Sequence, residues 1–232
     1  MIVPATIATV ASARRAGGGG GGGNNPVFAN VEYLMAMGGA NGSTTFLDSS
    51  TFNHAVTRFG NAVLDTSNFP TGIGTGAMLL DGAGDYLSIP IASHNLAQGP
   101  WNIGVWFLKN GDTFEPLVHF GPNGDDLYFT LNFGRMYCGD GINNNIIQGG
   151  NTPVTGQWHY GELSFNGTTY RMYVDGVLEG TSTVLLKNTT TTVGLIGGRP
   201  GLGLYKTGRI GQVRFSNEAG PFGMPTSGFP TS

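Results

Sequence analysis

Apolar and polar residues alternate with a period of two along most of the chain. Trp101-Asn-Ile-Gly-Val-Trp-Phe-Leu108 puts Trp101, Ile103, Val105 and Phe107 on one face, the signature of a strand with one side in a core. Tyr170 to Val174 alternates in the same way and runs into Asp175-Gly176, a strong two-residue hairpin signal. Upstream, Trp158 to Phe165 ends at Asn166-Gly167, a second such signal, so residues 158–184 predict a three-stranded antiparallel meander. Further strands are expected near 77–81, 85–90, 116–120, 127–138, 192–197 and 208–215. No stretch of a dozen residues carries a 3.6-residue apolar period free of Gly or Pro, so helices are not expected inside the domain. About a dozen strands joined by glycine-rich turns predict an all-β fold of two packed antiparallel sheets.

Composition agrees with that picture. Charged residues are only 11% of the chain, and 41 glycines take up much of the difference. Most are scattered singly between short apolar segments, where turns need positive φ. The exception is the run Gly17–Gly23, which divides the chain into an N-terminal arm and linker (1–25), the sandwich (26–217) and a Pro/Gly-rich irregular tail (218–232). The tail is expected to lie on the domain through Phe222 and Phe229. Met1–Ala13 ends in Ala-Ser-Ala like a signal-peptide cleavage site, but it lacks a basic n-region. The other reading is a tethered arm that buries Ile2, Val3, Ile7 and Val10 in a partner.

Charge excludes one partner class. The net charge is −3, and the eleven Lys and Arg are spread thinly, so no basic stripe exists for nucleic acid. No apolar run reaches the length of a membrane span. The single cysteine, Cys138, lies in an alternating stretch and is expected to be buried.

Several segments, in order, resemble the laminin G-like, concanavalin A-like jelly rolls. They are Ser43–Ser50 with Asn53-His54, Leu80–Pro90, Trp101–Lys109, Gln157-Trp158-His159, Tyr170–Gly180, Ile196-Gly197-Gly198 and Gly208–Ser216. The likeness covers Tyr33 to Ser216 and implies a two-sheet jelly roll with the N-terminal arm extended from it. Where the family usually has acidic residues in the closing strand, this chain has Gly211-Gln212. The Gly-Ser-Thr-Thr-Phe and Asp-Ser-Ser version resembles modules of tailed-bacteriophage structural proteins. That implies a virion protein, decorating the capsid or associated with the tail, present in many copies or as a homo-oligomer and in contact with other virion proteins.

The chemistry found in the sequence is sparse. Glycosidases of this fold carry Glu-x-Asp-x-Glu on one strand, because retaining hydrolysis needs two carboxyl groups about 5 Å apart; no such motif occurs here. Glu162 stands alone in its strand. His119 and His159 read as hydrogen-bonded sheet histidines. Calcium is the cofactor with some support, with Asp81 and Asp85 as candidate ligands and Asp48 and the Asp140–Asn145 loop as further oxygen donors. Host-surface glycans are the candidate ligands, with Tyr137, Tyr205, Asn143 and Asn144 as the residues to hold them. The function expected is therefore binding rather than catalysis. A secreted bacterial lectin-like module and, more remotely, a polysaccharide-degrading enzyme are the alternatives.

Overall fold

A computed structural model of the chain describes residues 28–228. The proposed arm, with Ile2, Val3, Ile7 and Val10, and the tail residue Phe229 lie outside the described residues.

The strands, in chain order, are β1 (Val31–Met35), β2 (Thr57–Phe59), β3 (Val63–Asp65), β4 (Ala77–Asp81), β5 (Tyr86–Asn95), β6 (Pro100–Leu108), β7 (Glu115–Phe120), β8 (Leu127–Asn132) and β9 (Arg135–Gly139). They continue with β10 (Ile147–Gln148), β11 (Trp158–Asn166), β12 (Tyr170–Val174), β13 (Val177–Ser182), β14 (Thr190–Ile196), β15 (Gly198–Arg199), β16 (Leu204–Tyr205) and β17 (Thr207–Ser216). Sheet A runs β13-β12-β11-β6-β17-β4-β3, with β1 also paired to β17; sheet B runs β10-β9-β8-β7-β14-β5-β2. All pairings are antiparallel, which gives the expected two-sheet jelly roll. The described residues contain only two short 3-10 turns, Phe28–Asn30 and Pro200–Leu202.

The core fills the space between the sheets, as the alternation predicts. Trp101, Ile103, Val105 and Phe107 of β6 meet Phe129, Leu131 and Met136 of sheet B in one buried cluster, together with Phe165, Tyr170 and Phe215. Trp106 points the other way and packs with Tyr160, Val31, Leu34 and Ile73 in a smaller cluster on the outer face of sheet A. The meander occupies 158–182 as expected. Residues 127–138 are two strands rather than one, because Phe133 takes a left-handed conformation (φ 47°) and turns the chain at Phe133-Gly134. Cys138 is buried.

Carboxylates tie the loops to the sheets. Asp48 accepts hydrogen bonds from the N–H groups of Leu34 (2.8 Å), Ser50 (2.9 Å) and His54 (2.9 Å). Glu32 accepts from the Ala92 N–H at 2.6 Å and lies 3.3 Å from the His54 ring. The tail lies on the outer face of sheet A, as anticipated for Phe222. That side chain is 8% exposed, and the Phe222 N–H donates to Glu162 at 2.6 Å.

Candidate functional site

The outer face of sheet B carries the most site-like arrangement. In β5 the odd positions Leu87, Ile89 and Ile91 enter the core, so Tyr86 is turned outward. Register places it beside Phe59 of the edge strand β2, and the two rings stack at 4.3 Å with their planes 3° apart. On its other side Tyr86 meets Tyr205 at 6.1 Å. Tyr205 reaches this position because β15 and β16 form a small hairpin after β14, in which Gly198 pairs with Tyr205. Only glycine fits there, since a Cβ on Gly198 would lie 2.7 Å from the Tyr86 Cβ. The result is a row of three rings, with Phe59 40% exposed at its outer end.

Polar groups flank the row. The turn after Phe59 brings Asn61 to Asp81, whose carboxylate accepts from the Asn61 side-chain amide at 2.9 Å and from the Ala83 N–H at 2.7 Å. The Ala83 N–H, followed by the Asn61 amide, holds Asp81 below the usual carboxylate range, so it is ionised at neutral pH. On the sheet A side of the same turn is a shallow groove of about 410 Å³ lined by Asn61, Val63, Leu79, Leu80 and Asp81. An exposed Phe59 ring, backed by half-buried Tyr86 and Tyr205 and set beside an ionised carboxylate and an amide, can hold a polyhydroxylated ligand. The rings take apolar C–H faces, and the polar groups take hydroxyls.

The hairpin also reaches across sheet B. Arg199 binds Asp125 at 2.8 Å, and its guanidinium lies 5.0 Å from the Tyr128 ring centroid. His119 is fully buried beneath it; burial first, and then Arg199, push its pKa down to about 3, so it stays neutral.

The residues expected from the sequence divide between these regions. Tyr205 belongs to the ring row and Asp81 to its rim. Asp85 is buried, and its two oxygens accept the N–H groups of Asn61 (2.6 Å) and Asp81 (2.8 Å). That use shapes the turn. Among the described residues, no three His, Cys, Asp or Glu side chains gather as metal ligands would. Tyr137 lies on the outer face of sheet B across from Thr130 but is only 8% exposed. The side-chain amide of Asn143 is bound to Asp140 and to the Leu185 carbonyl, whereas Asn144 is exposed. These three do not join the ring row. Phe59 and Tyr86 were not among the residues expected from the sequence, although the alternation Tyr86, Leu87, Ser88, Ile89 already turns Tyr86 away from the core.

His159 forms a second polar cluster at the end of the meander. Nδ1 is 2.7 Å from Asp175, and Nε2 is 3.0 Å from the Val154 carbonyl. Burial alone lowers its pKa, but hydrogen bonds to Asp175 and Val154 outweigh that and raise it above the ordinary 6.5. A raised folded-state pKa contributes stability that is complete below about pH 6.5 and is lost as pH rises through the folded value. Denaturation midpoints measured from pH 5 to 9 should fall across that window in the native protein and flatten in Asp175→Asn; an unchanged profile in that variant would discount the pair.

Comparison with known proteins places these features in context. The family profile described as the concanavalin A-like lectin/glucanases superfamily matches residues 81–220. Among solved structures, the binding domain of botulinum neurotoxin DC in complex with SialylT is similar with a TM-score of 0.62 and 12% identity, over 84% of this chain and 49% of that one. A type C botulinum neurotoxin structure, described by its interaction with two ganglioside molecules, gives 0.61 and 10% over the same shares. The chain thus spans about half the length of these structures, and at this identity they show the fold alone. Deoxyribonuclease-2-alpha of Bos taurus is 46% identical over 44 residues, 18% of this chain and 12% of that enzyme.

Proposed function

Because the chain belongs to the concanavalin A-like lectin/glucanases superfamily, we propose that it is a non-catalytic glycan-binding module whose site is the Phe59–Tyr86–Tyr205 row. The observation that carries this reading is the ring row, open to solvent at Phe59, set beside the ionised Asp81 and the Asn61 amide. The SialylT complex of one similar fold, and the ganglioside interaction by which another is described, support saccharide as the ligand class. Against catalysis stands Glu162, the carboxylate on which a hydrolytic reading depends. It is 1% exposed and accepts from the Asn102 amide at 2.6 Å and from two N–H groups of the tail.

The site would be displayed on a bacteriophage virion, on the capsid or the tail, with residues 1–25 as the anchor to another virion protein. Many copies on one particle would convert weak saccharide contacts into useful avidity. A secreted lectin-like module would use the same site and differ in the fate of residues 1–13, which mass spectrometry of the native N-terminus distinguishes.

The test is saccharide binding on an oligosaccharide array, followed by calorimetry on the best ligand. Phe59→Ala and Tyr86→Ala should each weaken binding about tenfold, the equivalent of one stacking contact of about 1.4 kcal/mol. Phe59 is an edge residue, so its variant should keep the native melting temperature. Native affinity in both variants would remove the ring row as the site, and glycan cleavage lost in Glu162→Gln would restore the enzyme reading.

A further inference from the structure

At the edge of the sandwich opposite the ring row, the two sheets end in β13 and β10. Gly180 lets them meet, since a Cβ there would lie 2.7 Å from the Ile147 side chain. Beside this seam, between the loop 149–157 and the β12–β13 hairpin, lies a pocket of about 220 Å³. Its walls are Pro153, Val154, Val174 and Val177, and Val154 and Val177 are more than half exposed. That volume is below the roughly 300 Å³ at which pockets begin to enclose drug-sized ligands, and it suits one aliphatic side chain.

The polar atoms at the mouth are sorted by what they already bind. Asn151 gives its backbone N–H and its side-chain amide to Glu179, at 2.8 and 2.7 Å. His159 has an acceptor at each ring nitrogen, Asp175 at one and the Val154 carbonyl at the other. The second Asp175 oxygen accepts the Tyr160 N–H at 2.8 Å. Lys109, behind the loop, is 1% exposed and divided between the Pro153 carbonyl (2.8 Å) and Asp112 (2.9 Å). The Thr152 hydroxyl apart, what stays open is acceptor capacity: a carboxylate has about four lone-pair positions, and Glu179 uses two. The charge points the same way. His159 and Asp175 face each other, whereas Glu179 has no ion-pair partner among the described residues. Whether His159 is protonated or neutral, the sum over His159, Asp175 and Glu179 is negative.

We infer that this pocket receives a primary ammonium on an aliphatic stem, the chemistry of a lysine side chain, with Glu179 holding the charge. Such a group lays its methylenes on apolar surface and keeps its head at a polar edge. Its ammonium has three donors and no acceptor, which complements a rim whose own N–H groups are spent. Glu179 is only half exposed, so a charge-assisted hydrogen bond to it is less diluted by water than one at an open surface. An anionic ligand would meet the unpaired carboxylate and find only the Thr152 hydroxyl as a donor.

The test follows amide NMR spectra of the isotope-labelled full-length protein during titration with n-butylammonium chloride and with Nα-acetyl-lysine methylamide. Nα-acetyl-norleucine methylamide, an uncharged chain of similar length, is the control. Both amines should shift the amides of Asn151, Val154, Val177 and Glu179 saturably, and the norleucine derivative should bind at least about tenfold more weakly. Glu179→Gln should weaken both amines by a similar factor, since its side-chain carbonyl still accepts from Asn151 while the charge is gone. If that variant displaces the loop, the norleucine comparison on the native protein decides. Tighter binding of the lysine derivative than of butylammonium assigns the pocket to a lysine of a partner protein, and equal binding assigns it to free amines. Shifts that never saturate, that fall elsewhere, or that the norleucine derivative reproduces overturn the proposal. Phe59→Ala should leave every one of these results unchanged, so this inference and the glycan reading fail separately.

Discussion

Glu115→Gln should lower stability by about 3–5 kcal/mol, the range for leaving one member of a buried ion pair without its partner. Glu115 is 2% exposed and Lys206 is fully buried, and the ammonium bonds directly to the Glu115 carboxylate. Lys206 also donates to the Leu108 carbonyl at 3.0 Å, while Glu115 accepts the N–H groups of Asn110 (3.2 Å) and Gly111 (3.1 Å). Three stretches, 108–111, the start of β7 and Lys206, thus meet at one charge pair. Burial pulls the Lys206 pKa down, and the Glu115 charge works against that pull. Glutamine keeps the shape and removes the charge, leaving the ammonium in a site of low polarity. In a chain of this size the loss corresponds to a melting temperature lower by about 6–20 °C. The double replacement Glu115→Leu with Lys206→Met should recover much of it, because neither charge then has to leave water. Urea denaturation of the three proteins checks this; a single variant as stable as the native chain would mean that the pair contributes nothing.

Trp101→Ala should cost a similar amount, about 3–5 kcal/mol, for a different reason. Trp101 is wholly buried between the sheets, with ring centroids of Phe165, Tyr170 and Phe215 at 6.0, 5.9 and 6.5 Å. Its indole N–H donates to the Leu96 carbonyl at 3.0 Å, an acceptor shared with the Tyr170 hydroxyl at 3.1 Å. Alanine leaves a cavity that these rigid rings fill poorly. Trp106→Ala should cost less, since that ring lies on the outer face of sheet A at 7% exposure. Equal losses in the two variants would contradict the assignment of Trp101 to the central core.

Strands that alternate over five or more residues, such as β6, β11 and β12, were legible because one face is buried and the turns that follow use Asn-Gly or Asp-Gly. Strands of two or three residues, β2, β3, β10, β15 and β16, contain too few positions to show a period. The break between β8 and β9 was hidden by Phe133, which is apolar yet 78% exposed at the turn. The site was harder to see for a related reason. Phe59, Tyr86 and Tyr205 are distant in sequence and meet only through strand register and the β15–β16 hairpin. Asp81 and Asp85 have a spacing that suits a cation, but Asp85 serves the amides of its own turn and of Asn61. Glu162 looked solitary because its partners, Asn102, Phe222 and Gly223, lie about sixty residues away on either side.

The pairing of β1 with β17 has one more consequence. The Asn217 N–H donates to the Asn30 carbonyl at 2.8 Å, and the Asn30 side chain reaches Glu218 at 3.1 Å, so the path into the sandwich and the path out of it lie side by side. Adjacent antiparallel strands stand about 5 Å apart. A protein with an ordinary hairpin turn could therefore be cut at that turn and joined to residues 30 and 217, a junction that gives up the cover Phe222 and Gly223 lay over Glu162. The sandwich has the geometry of a cassette that can be grafted into another scaffold's surface loop, its ring row carried along intact.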